Sequence, residues 1–298
     1  MTGGGDEQPT PEEAFDVLAH ELRFEILHEL NAASDPVPFS ALHDAVDVQD
    51  SGQFNYHLSK VVGPFVRKSD EGYRLSTAGK RAVGTVFAGE FSGEPLREVA
   101  PVPTEGSCHN CNTGLEAVFG ESSVRVHCPS CGAVFTEPEI PPGALSGRDR
   151  EQLPQVINRW VRRLLTSVDL GLCEYCDGRT TTTVCRPGEA AAPPWFDADS
   201  DREVIVVYEC KRCGHWTHSV ISFAALVRPP LVSFYHDHGI NLRERPLWAL
   251  DLIERSQTSV AQETPLRVEL SVTLDDETRA FVFDREMTLI DESTPAEG

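Results

Sequence analysis

The run "DSGQFNYHLSKVV", Asp50–Val62, has the pattern of one short helix with two unlike sides. Asp50 is suited to cap its first turn, with Gln53 three residues on to close a capping box. At 100° per residue, Phe54, Leu58, Val61 and Val62 fall within about 100° of arc and predict a buried face. Opposite them lie Gln53, Tyr56 and Lys60, with Asn55, His57 and Ser59 on the flanks. These side-chain types hydrogen-bond base edges and phosphates in a major groove. Any solvated helix is polar on its outer side, so the neighbouring sequence has to decide between the two readings.

Upstream, "TPEEAFDVLAHELRFEILHELNAA" opens with a helix-start signature in Thr10, Pro11 and Glu13. Phe15, Leu18, Leu22, Ile26 and Leu30 then form one amphipathic stripe, which predicts a single first helix. "FSALHDAV" predicts a second, short helix with Phe39, Leu42 and Val46 inward. Downstream, "FVRKS" and "GYRLS" around "DEG" predict a β-hairpin, and "TAGKRAVGTVF" a further helix capped by Ser76 or Thr77. Three helices, a hairpin and a helix make a winged helix-turn-helix over residues 11–91. In that architecture the third helix enters the groove, and the hairpin would set Arg67, Lys68 and Arg74 along the backbone.

Residues 11–90 resemble the winged-helix domain of haloarchaeal ArsR-like transcription regulators, and "DSGQFNYHL" and "GYRLSTAGKRAV" carry the likeness. "NYHLSKV" is similar to the broader Ser-x-His-Leu recognition-helix pattern, with Asn55 at the Ser position. The resemblance implies a sequence-specific regulator of double-stranded DNA. Such domains usually act as homodimers on two half-sites. One departure matters: metal-sensing members place cysteines on the recognition-side helices, and no Cys precedes Cys108 here, so a thiolate sensor at that place is not expected.

A formal charge of −21 opposes any partnership with a polyanion. The kind of acidity weakens the objection. Only four of 26 basic residues are lysine (Lys60, Lys68, Lys80, Lys211), and the 47 acids are spread along the chain. That pattern resembles proteins of salt-accumulating haloarchaea, and at about 1 M salt the Debye length is roughly 3 Å. Residues 1–91 hold 7 Lys or Arg against 15 Asp or Glu, yet three of the four lysines lie in or just after the quoted stretch. Residues 1–10 are expected to be disordered. No apolar run approaches the roughly 20 residues of a membrane-spanning helix, and acid stands where a signal peptide would be basic, so a cytoplasmic chain with no membrane partner is expected.

All nine cysteines fall between 108 and 213, and eight form C-x2-C pairs. Reduced thiols in that arrangement point to metal rather than disulfides. Cys108, Cys111, Cys128 and Cys131 have the spacing of a zinc ribbon over residues 104–142, with "LEAVF" and "SVRVH" as strands between the two turns. Cys173, Cys176, Cys210 and Cys213 predict a second ribbon in residues 171–292, with a proline-rich insertion between "TTTVC" and "REVIVVYEC". Pairing crossed between the two sets is the competing arrangement. Two Zn(II) ions, each closed off by four thiolates, would be structural rather than catalytic. Cys185 reads as a buried small hydrophobe, with a redox thiol as the sharper alternative. His109, His127, His215 and His218 lie beside the turns; with four thiols in each set they read as neighbours of the ligands or exposed residues, with replacement of a cysteine ligand as the alternative.

Between the ribbons, residues 143–170 predict a connecting helix through Leu153, Val156, Ile157, Trp160, Leu164 and Leu165, with Arg159, Arg162 and Arg163 as a basic cluster. Beyond Cys213 come a short helix, a Pro-Pro break, a helix ended by Gly239 and a three-stranded meander; "VSFYHDHGINLRERPLWAL" also resembles the carboxy-terminal part of the same regulators. The fold class expected is α+β and multidomain, and an unknown small-molecule or protein effector at the C-terminal half is an expected partner. Winged helix plus zinc ribbon also resembles the archaeal counterpart of the initiation factor TFIIE, which makes a polymerase-interacting factor the alternative function. With no phosphate-cradling glycine loop and no nucleophile motif, an enzyme is not expected.

Overall fold

The computed structural model describes residues 10–91, 100–251 and 255–293. The disordered start expected for residues 1–10 lies, apart from Thr10, outside them. The chain is mixed helix and antiparallel sheet, and it divides into two compact units: residues 1–94 with 141–143, and residues 95–140 with 144–298.

The first unit contains α1 (Pro11–Leu18), α2 (Glu21–Ala32), α3 (Phe39–Ala45), α4 (Ser51–Val61), a hairpin of β1 (Val66–Ser69) and β2 (Gly72–Leu75), and α5 (Thr77–Phe87). α1 begins with the expected capping box: Thr10 Oγ1 accepts from Glu13 N–H, and Glu13 accepts from Thr10 N–H. The single first helix expected from this start is, however, two helices. His20 is extended at φ −155°, and α2 begins anew after it. Arg23 then reaches back to donate to the Asp16 and Val17 carbonyls, which the end of α1 leaves without helical partners. The break takes Phe15 out of the stripe and leaves it exposed, while Leu22, Ile26, Leu27 and Leu30 of α2 are buried. Leu42 and Val46 point inward as expected; Phe39 is partly exposed, though its ring still meets Phe54 edge-on at 5.1 Å.

In the second unit a sheet of β3 (Val102–Ser107), β4 (Gly114–Phe119), β5 (Val124–His127) and β6 (Val134–Thr136) runs in chain order. The short α6 (Pro142–Leu145) stands at the boundary between the units in sequence, and α7 (Leu153–Asp169) follows. A second sheet joins β7 (Thr180–Cys185), β8 (Ile205–Cys210) and β9 (Trp216–Ser219). After it come α8 (Ile221–Ala225) and α9 (Pro229–Asp237), which ends at Gly239 with φ +72° as its sequence predicts. The terminal sheet has four strands where three were expected: β10 (Ser256–Gln262), β11 (Arg267–Leu274), β12 (Glu277–Phe283) and β13 (Leu289–Ser293).

β8 is buried on both faces, and its period of two divides the core: Val206 and Tyr208 join the large cluster of α8, α9 and β11–β12, whereas Ile205 and Val207 enclose Cys185 with Phe196. The first sheet closes a smaller core around Leu115, Val124, Val126 and Ile157, with Trp248 donating its indole N–H to Thr104 at 2.9 Å. No helix among the described residues is long and apolar enough to cross a membrane.

Candidate nucleic-acid face and metal centres

α4 is fixed at its start by Asp50, whose Oδ1 accepts from the Gly52 and Gln53 N–H groups at 2.7 and 3.1 Å. Phe54, Leu58 and Val61 anchor it in the first unit's core, while Val62, expected there too, is only half-buried. On the other side Gln53, Asn55, Tyr56, Ser59 and Lys60 are all exposed. Ser59 Oγ donates to the Tyr56 carbonyl at 2.7 Å, and the Lys60 ammonium lies 5.4 Å from the centre of the Tyr56 ring. The hairpin brings Arg67 opposite Arg74 and Lys68 opposite Tyr73, with all three cations exposed.

His57 departs from the expected set. It is buried, its ring centroid 4.0 Å from that of His20, and Arg23 Nε donates to its Nδ1 at 3.3 Å. Burial first, then the charges of His20 and Arg23, pushes its pKa below the ordinary 6.5. A side chain so placed cannot reach a groove from the exposed row. The signal was present in the spacing, since Phe54, His57, Leu58 and Val61 stand at i, i+3, i+4 and i+7 of one helical face.

The eight paired cysteines converge as two separate sets, and the crossed arrangement is not formed. Sγ atoms of Cys108, Cys111, Cys128 and Cys131 all lie within 4.8 Å of one another, as do those of Cys173, Cys176, Cys210 and Cys213. The shorter separations are 3.5 Å for Cys108–Cys131, 3.4 Å for Cys111–Cys128, 3.7 Å for Cys173–Cys213 and 3.5 Å for Cys176–Cys210. Four thiolates tetrahedral about a metal at roughly 2.3 Å would stand about 3.8 Å apart, so each set fits an ion such as zinc.

The turns carrying them repeat one device. The residue after the second cysteine of each pair is left-handed: Asn112 at φ 56°, Gly132 at 76°, Asp177 at 52° and Gly214 at 77°. Glycine, Asn and Asp are the residues that tolerate this conformation. Asn110 N–H and Arg212 N–H donate to Cys108 and Cys210 sulfur at 3.4 Å. Thr113, through its hydroxyl and its backbone, holds the Cys111 thiol down to about 6; the Cys213 and Arg212 backbone does the same for Cys210. A Cβ at Gly178 would lie 3.0 Å from Cys176 Sγ and 3.1 Å from Cys210 Sγ, so the second set leaves no room for a side chain there.

The remaining candidates separate. His109, His127, His215 and His218 stand outside both sets; His215 is engaged with Glu174 at 2.9 Å. Cys185 is fully buried and its thiol pKa is raised, chiefly by burial, as its reading as a small hydrophobe requires. The arginine cluster of α7 is broken up: Arg162 turns inward to donate to the Arg245 carbonyl, its pKa lowered to about 10 by burial, and Arg163 lies against the Trp160 ring.

Residues 105–289, more than half of the chain, match the model of a family described as a domain of unknown function, DUF7351. The chain belongs to that family. Residues 11–86 match a second domain of unknown function, DUF7347, so the two matches fall on the two units. Among curated proteins and solved structures nothing matches.

Proposed function

We propose that the chain is a sequence-specific DNA-binding transcription regulator of the ArsR-like winged-helix kind, with two structural zinc ions in zinc-ribbon-like units of its C-terminal half. One observation carries the reading: α4 is anchored on one side by Phe54, Leu58 and Val61 and leaves Gln53, Asn55, Tyr56, Ser59 and Lys60 exposed on the other. Amides and hydroxyls in that row are the groups that address base edges, and Lys60 is suited to a phosphate. Arg67, Lys68 and Arg74 of the hairpin then serve as the backbone contacts of the wing. His57 holds α4 from behind instead of reading the groove.

Each four-thiolate zinc has no open coordination position, so the ions stabilise the fold and the protein acts by binding rather than turnover. A homodimer would present two recognition helices to two half-sites. High salt screens the acidic mantle but also suppresses counterion release, so direct contacts supply proportionately more of the affinity.

The decisive experiment pairs genome-wide mapping of the tagged protein with footprinting on the enriched promoters at molar KCl. Tyr56→Ala with Lys60→Ala is expected to abolish the footprint while melting and zinc content stay unchanged. A footprint that survives the double change overturns the assignment of this face. Co-purification with RNA polymerase without any preferred site would favour the basal-factor alternative.

A further inference from the structure

Within the second unit a groove of about 870 Å³ lies between two sheet edges. β6 is the terminal strand of one sheet and β9 the terminal strand of another. β6 lines the groove without a gap through Val134, Phe135 and Thr136, and β9 through Thr217, His218 and Ser219. A strand presenting one face to a space contributes every second residue; an unbroken run means that its edge looks into the space. α7, by contrast, contributes Val161, Leu164, Leu165 and Val168, the spacing of a single helical face. The groove therefore has a helical apolar floor and backbone walls.

The ladder shows which backbone groups of β9 face outward. Cys210 N–H donates to the His215 carbonyl at 2.7 Å, and the register continues with Glu209 opposite Trp216, Tyr208 opposite Thr217 and Val207 opposite His218. Antiparallel pairs alternate between bonded and non-bonded positions, so Trp216 and His218 turn their N–H and C=O groups away from β8. An edge of this kind, above an apolar floor, is a template for another strand. Four carboxylates line the groove; Glu137 is held by Arg125 and Glu174 by His215, which leaves the exposed Asp201 and Glu203 beside the single lining guanidinium of Arg202.

We infer that this groove binds an extended, basic segment of a partner protein, which adds to the β9 edge as a further strand. Its alternate apolar side chains rest on Leu164 and Leu165, and its lysines or arginines face the exposed carboxylates of Asp201 and Glu203. The three residues of β9 that line the groove span about 10 Å, which sets the core of the bound segment at roughly three to five residues. The inference goes beyond the DNA reading and does not depend on it, since every lining residue belongs to the second unit.

The test uses the full-length, zinc-loaded protein and a fluorescent, acetylated eight-residue peptide alternating valine and arginine, followed by anisotropy. Saturable binding is expected. N-methylation of alternate residues, which removes the backbone donors and keeps every side chain, should weaken it at least about tenfold, since each hydrogen bond lost costs roughly 1 kcal/mol. A valine–glutamate peptide should bind more weakly still. On the protein side, His218→Pro deletes an outward N–H without touching the β8 ladder and should weaken binding about fivefold, whereas His218→Ala, which keeps that N–H, should bind within about twofold of the parent. If His218→Pro loses zinc or melts early, the N-methylated peptide alone decides. Equal binding of methylated and unmethylated peptides, or none of either, overturns strand addition; the first result would mark a pocket for apolar small molecules.

Discussion

The two units solve the same problem by different means. The first buries one continuous apolar cluster, drawn from α2, α3, α4, the hairpin and α5, and has no cysteine. The second spreads its apolar surface over several clusters, and its two smaller sheets each end in four convergent thiols. The four-stranded sheet β3–β6, with a core as small as that of Leu115, Val124 and Val126, buries little, and a metal held by its four thiols would supply what packing does not. The contrast teaches where each unit is expected to be vulnerable: the first to a cavity, the second to disruption of the thiol sets placed to hold a metal.

The largest effect expected is therefore at a thiol. Cys128 is fully buried, and Cys128→Ser replaces a thiolate with a poor zinc ligand. Zinc per chain should fall from two to one, and β3–β6 should lose amide-exchange protection, because a structural zinc contributes on the order of 10 kcal/mol to folding. Protection in α2 and α4 should stay as in the parent. If those helices open together with β3–β6, the units are one cooperative block and the contrast fails.

A cavity in the first unit is the converse experiment. Phe54 is fully buried, with Phe39 and His43 edge-on at 5.1 and 5.0 Å. Phe54→Ala should cost about 3–5 kcal/mol by denaturant titration and leave both zinc ions bound. Asp50→Ala, which removes two hydrogen bonds at the start of α4 and no packing, should cost about 1 kcal/mol in the same assay. A cap variant as damaging as the Phe54 cavity would mean that α4 is held by its end and not by its apolar face.

Much of this plan can be read from the residues, and the exceptions share a cause. The cysteine spacing, the hairpin around Asp70 and Glu71, and the cap at Asp50 are local patterns, and the structure contains each of them. β10, "SQTSVAQ", was missed because it is a polar edge strand, identified only by its pairing with β11. β3 carries Pro103 and Gly106, which argue against a strand; Gly106 takes φ +98° where Ala249 approaches to 3.1 Å of a would-be Cβ. The burial of His57 was legible in its place on the apolar face, but the break at His20 is accompanied by Arg23 and by two rings meeting across helices. Contacts between residues distant in sequence leave no periodic trace. The zinc, the winged-helix reading and the DNA contacts remain proposals resting on that geometry.

The smallest effect expected reports on that same contact. Arg23 Nε donates to His57 Nδ1, so this nitrogen carries no proton in the folded unit, and burial, His20 and Arg23 all hold the folded pKa below 6.5. The unfolded chain, at its ordinary value, takes up the proton first. Between about pH 6.5 and the lower folded value the unfolded state binds more protons, so stability falls as the pH falls, and levels off once folded His57 also titrates. His57→Gln keeps a hydrogen-bond acceptor and removes the titration. Denaturant midpoints of the first unit, measured from pH 8 to pH 5, should converge for parent and variant toward the acid end if the variant starts lower, because only the parent loses this contribution. A difference that stays constant across the whole range would mean that His57 has the same pKa folded and unfolded, and that α4 is not anchored through the His20, Arg23 and His57 contact.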